Sequence, residues 1–91
     1  MAEFLLELYV ARADSDAVER AAERARVAAE ELSQQGRPMR YLRSIFVPED
    51  ETCFYVFEAA SADDVQRAAR RAGLEFERVA AAITADRGEG T

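Results

Sequence analysis

Residues 39–59 read MRYLRSIFVPEDETCFYVFEA and decide the fold. The segments 39–47 and 52–59 are rich in β-branched and aromatic residues, which is the composition of β-strands. The polar run PEDE at 48–51 has the length of a hairpin loop. The stretch therefore predicts two antiparallel strands joined by a turn, and the three carboxylates of that turn are expected to be solvated.

The loop length also predicts which side chains share a face of this hairpin. If the four-residue loop closes it, Val47 lies opposite Thr52, and the pairing continues in steps of two residues. The next predicted pairs are Ile45 with Phe54, Arg43 with Val56 and Tyr41 with Glu58, and these six side chains share one face. The second face then holds Leu42, Ser44, Phe46, Cys53, Tyr55 and Phe57. A slip of one residue would exchange the two faces.

The residues before the hairpin predict a strand and a helix. Residues 3–10 alternate between apolar and mixed positions, which is strand periodicity. Asp16 and Glu19 fit a capping box at a helix start, and Gly36 followed by Pro38 marks a helix end. The helix between them has a narrow apolar stripe that consists of Val18, Ala21, Ala22, Ala25, Ala28, Ala29 and Leu32.

The residues after the hairpin predict a second helix and a last element. Residues 61–64 fit another capping box, and Gly73 ends a second apolar stripe at helical spacing. Residues 74–83 alternate in the manner of a strand, although their alanines also suit a short helix. We expect one domain over residues 1–85 and a flexible polar tail at 86–91.

The order β-α-β-β-α-β predicts an α+β ferredoxin-like fold, a four-stranded antiparallel sheet with two helices on one face. Every strand carries large apolar side chains on both sides, so the sheet face away from the helices is too apolar to meet water alone. A homodimer through this sheet face, with a cavity between the two sheets, is the simplest solution. This assembly is of the dimeric α/β-barrel type.

The composition limits the partners and the location. The chain has 91 residues and a formal net charge of −6, which is the wrong sign for binding nucleic acid or an anionic membrane. No apolar run approaches the roughly 20 residues of a membrane span. Glu3 and Glu7 interrupt the apolar start of the chain, which therefore does not resemble a signal peptide. We expect a cytoplasmic protein with no nucleic-acid and no membrane partner.

The residue types exclude several kinds of chemistry. The chain has no histidine, one cysteine and 12 basic residues that are all arginine. These counts exclude Ser-His and Cys-His nucleophile pairs, intrachain disulfides, multi-cysteine metal sites and Schiff-base catalysis. Cys53 lies among aromatic residues and is expected to be a small buried hydrophobic residue. The residues themselves predict no metal site and no cofactor.

Six polar side chains on the predicted strands are the candidates for a site in the cavity. They are Glu7, Tyr9, Tyr41, Arg43, Glu58 and Arg78, all as ligand-binding residues and the first five also as catalytic residues. A desolvated Glu7 carboxylate can act as a general acid or base, and either tyrosine can donate to an oxyanion. Arg43 is expected to pair with Glu58. The alternative is a structural ion pair with tyrosines that pack at the interface.

The second helix is basic at its end. Arg67, Arg70 and Arg71, with Arg78 beyond the helix, can form an anion site. A solvated helix face is the more ordinary interpretation, because arginines near a helix C-terminus complement its dipole.

The stretch YLRSIFVPEDETCFYVFEAASADDVQRAARRAGLEFERV, residues 41–79, resembles a bacterial family of small ferredoxin-like proteins. Its most specific parts are VPEDETCFYVFEA and RAGLEFERV. The family carries the label "domain of unknown function" and is described as nickel-binding. The resemblance implies a ferredoxin-like dimer and nickel as a bound metal. The nickel site that it implies uses histidine ligands, and this chain has none.

Three functions remain open from the sequence. The first is a non-catalytic protein of the nickel-binding family that binds a metal or a small molecule. The second is a cofactor-independent isomerase, cyclase or oxygenase that acts on an aromatic or polyketide-like molecule in the sheet-face cavity, which is an analogy at the level of the fold. The third is an interaction module that needs no pocket.

Overall fold

The computed structural model describes residues 1–83 and contains one antiparallel sheet and two helices. In chain order the elements are β1 (Ala2–Tyr9), α1 (Ser15–Gln34), β2 (Met39–Val47), a 3-10 turn (Pro48–Asp50), β3 (Thr52–Ala59), α2 (Ala62–Arg71) and β4 (Arg78–Ala82). The strand order is β2-β3-β1-β4, and every neighbouring pair is antiparallel. The predicted ferredoxin-like α+β fold is confirmed. The tail expected at 86–91 lies outside the described residues.

The two helix starts differ in how well the sequence predicted them. The start of α2 is confirmed, because the Ser61 hydroxyl accepts a hydrogen bond from the Asp64 backbone N–H at 3.2 Å. The capping box at Asp16 is wrong. The N-cap of α1 is Asp14, which makes no side-chain cap, and Asp16 lies inside the first turn. A negative charge there still interacts favourably with the helix dipole.

The last element is a strand that is shorter than the apolar stretch that predicted it. The strand interpretation of residues 74–83 is confirmed for Arg78–Ala82 only. The strand begins only at Arg78 because Leu74, just after the helix, is buried in the core. The first bond to β1 is the donation from the Glu77 backbone N–H to the Glu7 carbonyl oxygen at 2.7 Å. No helix among residues 1–83 is long and apolar enough to cross a membrane.

The core lies between the two helices and one face of the sheet. The sheet contributes large side chains, with Leu6, Tyr55 and Phe57 fully buried. The helices contribute alanines, which let each helix lie close to the sheet. The buried alanines are Ala21, Ala25, Ala28, Ala29, Ala68 and Ala69. Small residues bury little area each, so most of the apolar area in this core comes from the strands.

The predicted hairpin register is confirmed near the turn and wrong at its far end. The pairs Val47–Thr52, Ile45–Phe54 and Arg43–Val56 are as predicted. A β-bulge between Tyr41 and Arg43 then shifts the register, so that Tyr41 lies opposite Phe57 rather than opposite Glu58. The extra residue reverses the side-chain alternation. Tyr41 therefore lies on the helix side of the sheet, where its ring meets that of Phe57 edge-on at a centroid distance of 5.8 Å.

This placement predicts that Tyr41 serves stability rather than ligand binding. We expect Tyr41→Ala to lower the free energy of unfolding by about 1–3 kcal/mol, through lost burial and the lost ring contact. Val27→Ala is the control, because Val27 is 37% exposed on α1, away from both faces of the sheet, and should change stability by less than about 0.5 kcal/mol. Urea denaturation of both variants measures the difference. Equal effects would contradict the bulge.

Two buried side chains, Cys53 and Tyr55, are expected to make the folded protein less stable at alkaline pH. Burial raises the pKa of the Cys53 thiol above its ordinary value of 9.0 and raises the pKa of the Tyr55 phenol above its ordinary value of 10.0. The Tyr55 hydroxyl also donates to the Val18 carbonyl oxygen at 3.1 Å, which holds the neutral form. Both groups ionise at lower pH in the unfolded chain than in the folded one.

The stabilisation from these neutral groups is complete below about pH 9 and decreases as pH rises further. Each group that ionises only in the unfolded chain removes up to about 1.4 kcal/mol per pH unit. Urea midpoints measured between pH 7 and pH 11 test this. Tyr55→Phe and Cys53→Ala should each make the alkaline decrease shallower, and a profile that is flat in the parent protein contradicts the argument.

Candidate functional site

The sheet face away from the helices is the surface where the predicted site residues converge, and we call it the open face. Strand alternation and the pairing registers place fifteen side chains on it. They are Glu3, Leu5, Glu7, Tyr9, Arg40, Arg43, Ile45, Val47, Thr52, Phe54, Val56, Glu58, Arg78, Ala80 and Ala82. None of them belongs to the core cluster under the helices. The open face is therefore a second, separate surface of the sheet.

The centre of the open face is apolar. Leu5 on β1 lies opposite Val56 on β3, and Phe54 on β3 lies opposite Ile45 on β2. Val56 is only 2% exposed, because its neighbours on the strands at both sides cover it. Ile45 is 46% exposed on the edge strand. A contiguous apolar patch in such a position is typical of an interface or a binding surface.

Two ion pairs flank this apolar centre. The Arg78 Nε donates to Glu7 Oε1 at 2.9 Å, next to the β4 edge. The Arg40 Nε lies 3.3 Å from Glu58 Oε1, next to the β2 edge. The expected pair between Arg43 and Glu58 is wrong. The same bulge is the reason, because it places Arg40 opposite Glu58 and leaves Arg43 opposite Val56.

Two polar groups on the open face have no partner among residues 1–83. The Arg43 guanidinium is exposed and makes no ion pair or hydrogen bond. The Tyr9 hydroxyl likewise has none, on a side chain that is 61% exposed. Within residues 1–83, the open face therefore presents one unpaired cation and one free hydroxyl beside an apolar centre.

The structure brings five of the six candidates to one face and excludes the sixth. Glu7, Tyr9, Arg43, Glu58 and Arg78 lie on the open face. The sixth candidate, Tyr41, lies on the helix side of the sheet. Whether any of the five binds a ligand or takes part in catalysis stays a prediction.

The sequence pattern did not predict Arg40, which forms the ion pair with Glu58. The sequence carries no specific signal for the bulge, because Ile45, Phe46 and Val47 are also consecutive apolar residues and the strand pairs regularly there. The bulge moves Arg40 to the face of Glu58.

The residues of the chain do not fit a nickel site. Imidazole nitrogen is a suitable ligand for nickel, and the chain has no histidine. Cys53 is buried on the helix side. Within residues 1–83, no three side chains among cysteine, aspartate and glutamate lie close enough together to hold a metal ion. A single described chain therefore offers no set of nickel ligands.

The fold and the open face define a small ferredoxin-like protein with an apolar, ion-pair-flanked sheet face. Residues 9–81 match the family described as nickel responsive protein SCO4226-like, and the chain belongs to this family. The match confirms the resemblance found over residues 41–79 and extends it across α1 to Tyr9, the last residue of β1. Comparison with curated proteins finds no match, and comparison with solved structures finds none either.

Proposed function

We propose that the protein is a non-catalytic binding protein, a homodimer whose two open faces meet and enclose a small organic molecule. The observation that carries the proposal is the apolar centre of the open face. Leu5, Phe54 and Ile45 are each partly exposed to solvent, and no helix within residues 1–83 covers them. An apolar centre with a polar rim is the usual anatomy of a protein interface.

Charge supports a second copy as the partner that covers this face. The described part of the open face carries three arginines and three glutamates, namely Arg40, Arg43, Arg78, Glu3, Glu7 and Glu58. The face is therefore neutral, although the chain has a net charge of −6. Two neutral faces with both signs of charge attract each other through complementary placement, whereas the rest of the acidic surface repels a second copy.

The unpaired groups support an anionic ligand with an apolar body. Arg43 lies beside the apolar row formed by Val56 and Leu5. A guanidinium in a partly desolvated setting binds a carboxylate or sulfonate through two parallel hydrogen bonds. The Tyr9 hydroxyl offers one further hydrogen bond. A molecule that fills the apolar centre and ends in an acidic group matches this arrangement.

Binding without turnover is favoured over the enzymatic alternative by the two ion pairs. A general acid or base needs a carboxylate that is free to exchange a proton with the substrate. The candidates Glu7 and Glu58 are each paired with an arginine, at 2.9 Å and 3.3 Å. These carboxylates are positioned as structural partners of Arg78 and Arg40.

A test of the ligand class uses 8-anilinonaphthalene-1-sulfonate, an aromatic sulfonate whose fluorescence rises in apolar sites. We expect saturable binding to the folded protein, and a dissociation constant raised about fivefold or more by Arg43→Gln. Arg12→Gln is the matched control, because Arg12 is exposed outside the sheet and the charge change is the same. Equal affinities of the two variants, or no saturable binding, would contradict the proposal.

A nickel titration separates this proposal from metal binding. Protein prepared without a histidine tag and treated with chelator should retain far less than one nickel ion per chain after dialysis against Ni²⁺. Stoichiometric nickel would contradict the organic-ligand proposal. In that case the ligands would have to come from two copies together or from residues beyond position 83.

A further inference from the structure

A second surface with an unusual composition lies on the helix layer, away from the open face. A pocket of about 290 Å³ lies between the C-terminal end of α1 and the outer side of α2. Its lining consists of Leu32, Gln35, Arg37, Arg67, Arg70 and Arg71. We call it the arginine pocket. It offers four guanidinium groups and one amide and is lined by no carboxylate, although the chain as a whole is acidic.

The spacing on α2 brings three of these arginines to one side. Arg67, Arg70 and Arg71 stand at positions i, i+3 and i+4, which are neighbours on a helix surface. Like charges at this spacing disfavour the helix by a few tenths of a kcal/mol per pair. The fourth, Arg37, follows the end of α1. The three arginines of α2 therefore do not stabilise the helix through one another.

The helix dipole accounts for only two of the four arginines. Arg70 and Arg71 lie in the last turn of α2, where a positive charge is favourable. Arg67 precedes that turn, and Arg37 belongs to no helix. These two arginines pair instead with Asp63 and Asp64, and neither pair by itself requires the two guanidinium groups to line the same pocket.

Two of the guanidinium groups are held in place by residues around the pocket. Arg37 Nη1 donates to Asp64 Oδ1 at 2.9 Å, and Asp64 is itself 6% exposed. Arg71 Nη1 donates to Glu31 Oε1 at 3.3 Å, and its Nη2 donates to Gln35 Oε1 at 3.2 Å. A guanidinium has five N–H donors, so these contacts fix the groups and leave donors for a ligand. Groups fixed in advance lose less entropy on binding.

The remaining two arginines give the pocket its surplus of positive charge. Arg67 Nε donates to Asp63 Oδ2 at 3.2 Å on the exposed side. Arg70 donates only to the neutral amide oxygen of Gln66, at 3.3 Å, and has no carboxylate partner among residues 1–83. Four cations are thus balanced by three carboxylates, and the surplus charge belongs to Arg70.

We infer that the arginine pocket binds a small molecule through a phosphate or pyrophosphate group. Several forked guanidinium groups around one pocket match the tetrahedral oxygens of a phosphate better than a single carboxylate. The volume of about 290 Å³ lies at the lower end of the range for small-molecule sites, which suits a small phosphorylated ligand. The site is independent of the open face, because it lies on the opposite side of the sheet.

The test is titration calorimetry of the full-length, tag-free protein with inorganic pyrophosphate, at constant ionic strength. We expect saturable binding, weakened by roughly tenfold or more in the double variant Arg67→Gln/Arg70→Gln. Both side chains are exposed and make no buried contact, so this variant is expected to fold. Its far-UV circular dichroism and its urea midpoint verify that.

A matched double variant, Arg12→Gln/Arg20→Gln, removes the same charge from exposed positions outside the pocket. It should bind pyrophosphate as the parent protein does. Equal weakening in the two double variants would mean general electrostatic attraction and would overturn the inference. Absence of saturable binding in the parent protein, or unchanged binding in Arg67→Gln/Arg70→Gln, would overturn it as well.

Discussion

Replacing Ile45 by aspartate is expected to convert the protein into a folded monomer. Ile45 is 46% exposed in the single chain and belongs to the apolar centre of the open face. In the proposed dimer, an aspartate at this position would be buried in the apolar centre, and a pair with Arg43, two residues along β2, would offset the lost hydration only in part. The remaining cost is expected to raise the dimer dissociation constant by at least about a hundredfold. Sedimentation velocity at several protein concentrations measures this change.

The matched control for Ile45→Asp is Val27→Asp. Val27 is 37% exposed and lies on α1, in the helix layer. The change is again from a β-branched apolar residue to an aspartate, but it lies away from the open face, so the dimer should persist. Loss of the dimer in both variants, or in neither, would contradict the assignment of the interface to the open face.

Replacing Phe57 by alanine is expected to destabilise the chain more than any surface substitution. Phe57 is fully buried at the centre of the sheet, between Phe4 on β1 and Tyr41 on β2. Removing its ring leaves a cavity under the helices, and such changes cost about 3–5 kcal/mol. A domain of this size has a total stability of roughly 5–14 kcal/mol. The variant should lose a large fraction of its stability in urea denaturation, and it unfolds if the parent lies near the lower limit.

Phe57→Leu provides the graded comparison. It keeps most of the apolar volume, so its cost should be about 1.5 kcal/mol or less. A similar loss for leucine and alanine would indicate that the aromatic ring itself, rather than the filled volume, carries the stability. A loss below about 1 kcal/mol for alanine would contradict the central position of Phe57.

The element order was predictable from the sequence because each element has its own local signal. The two strands of the hairpin end at the residues that the composition change indicated, Met39–Val47 and Thr52–Ala59. The Ser61 cap was predictable because its partner lies three residues away. The start of α1 was not predictable at Asp16, since Asp14 takes the cap position without a side-chain hydrogen bond that a pattern could reveal.

The candidate site was predictable in its location and less so in its pairs. Alternation alone places Glu7 and Tyr9 on one side of β1, because that strand is regular. It fails on β2, because the bulge beside Tyr41 inserts one residue and exchanges the faces beyond it. The arginine pocket depends on which side of α2 faces the end of α1, and that packing has no signature in the sequence.

Native mass spectrometry of protein prepared without a tag or added metal tests the central claim most directly. One chain has a mass of 10.1 kDa. We expect a species of twice that mass that retains an organic molecule, together with a bare 10.1 kDa monomer for Ile45→Asp. A parent protein that is monomeric at micromolar concentration, or a dimer that Ile45→Asp leaves intact, would contradict the account.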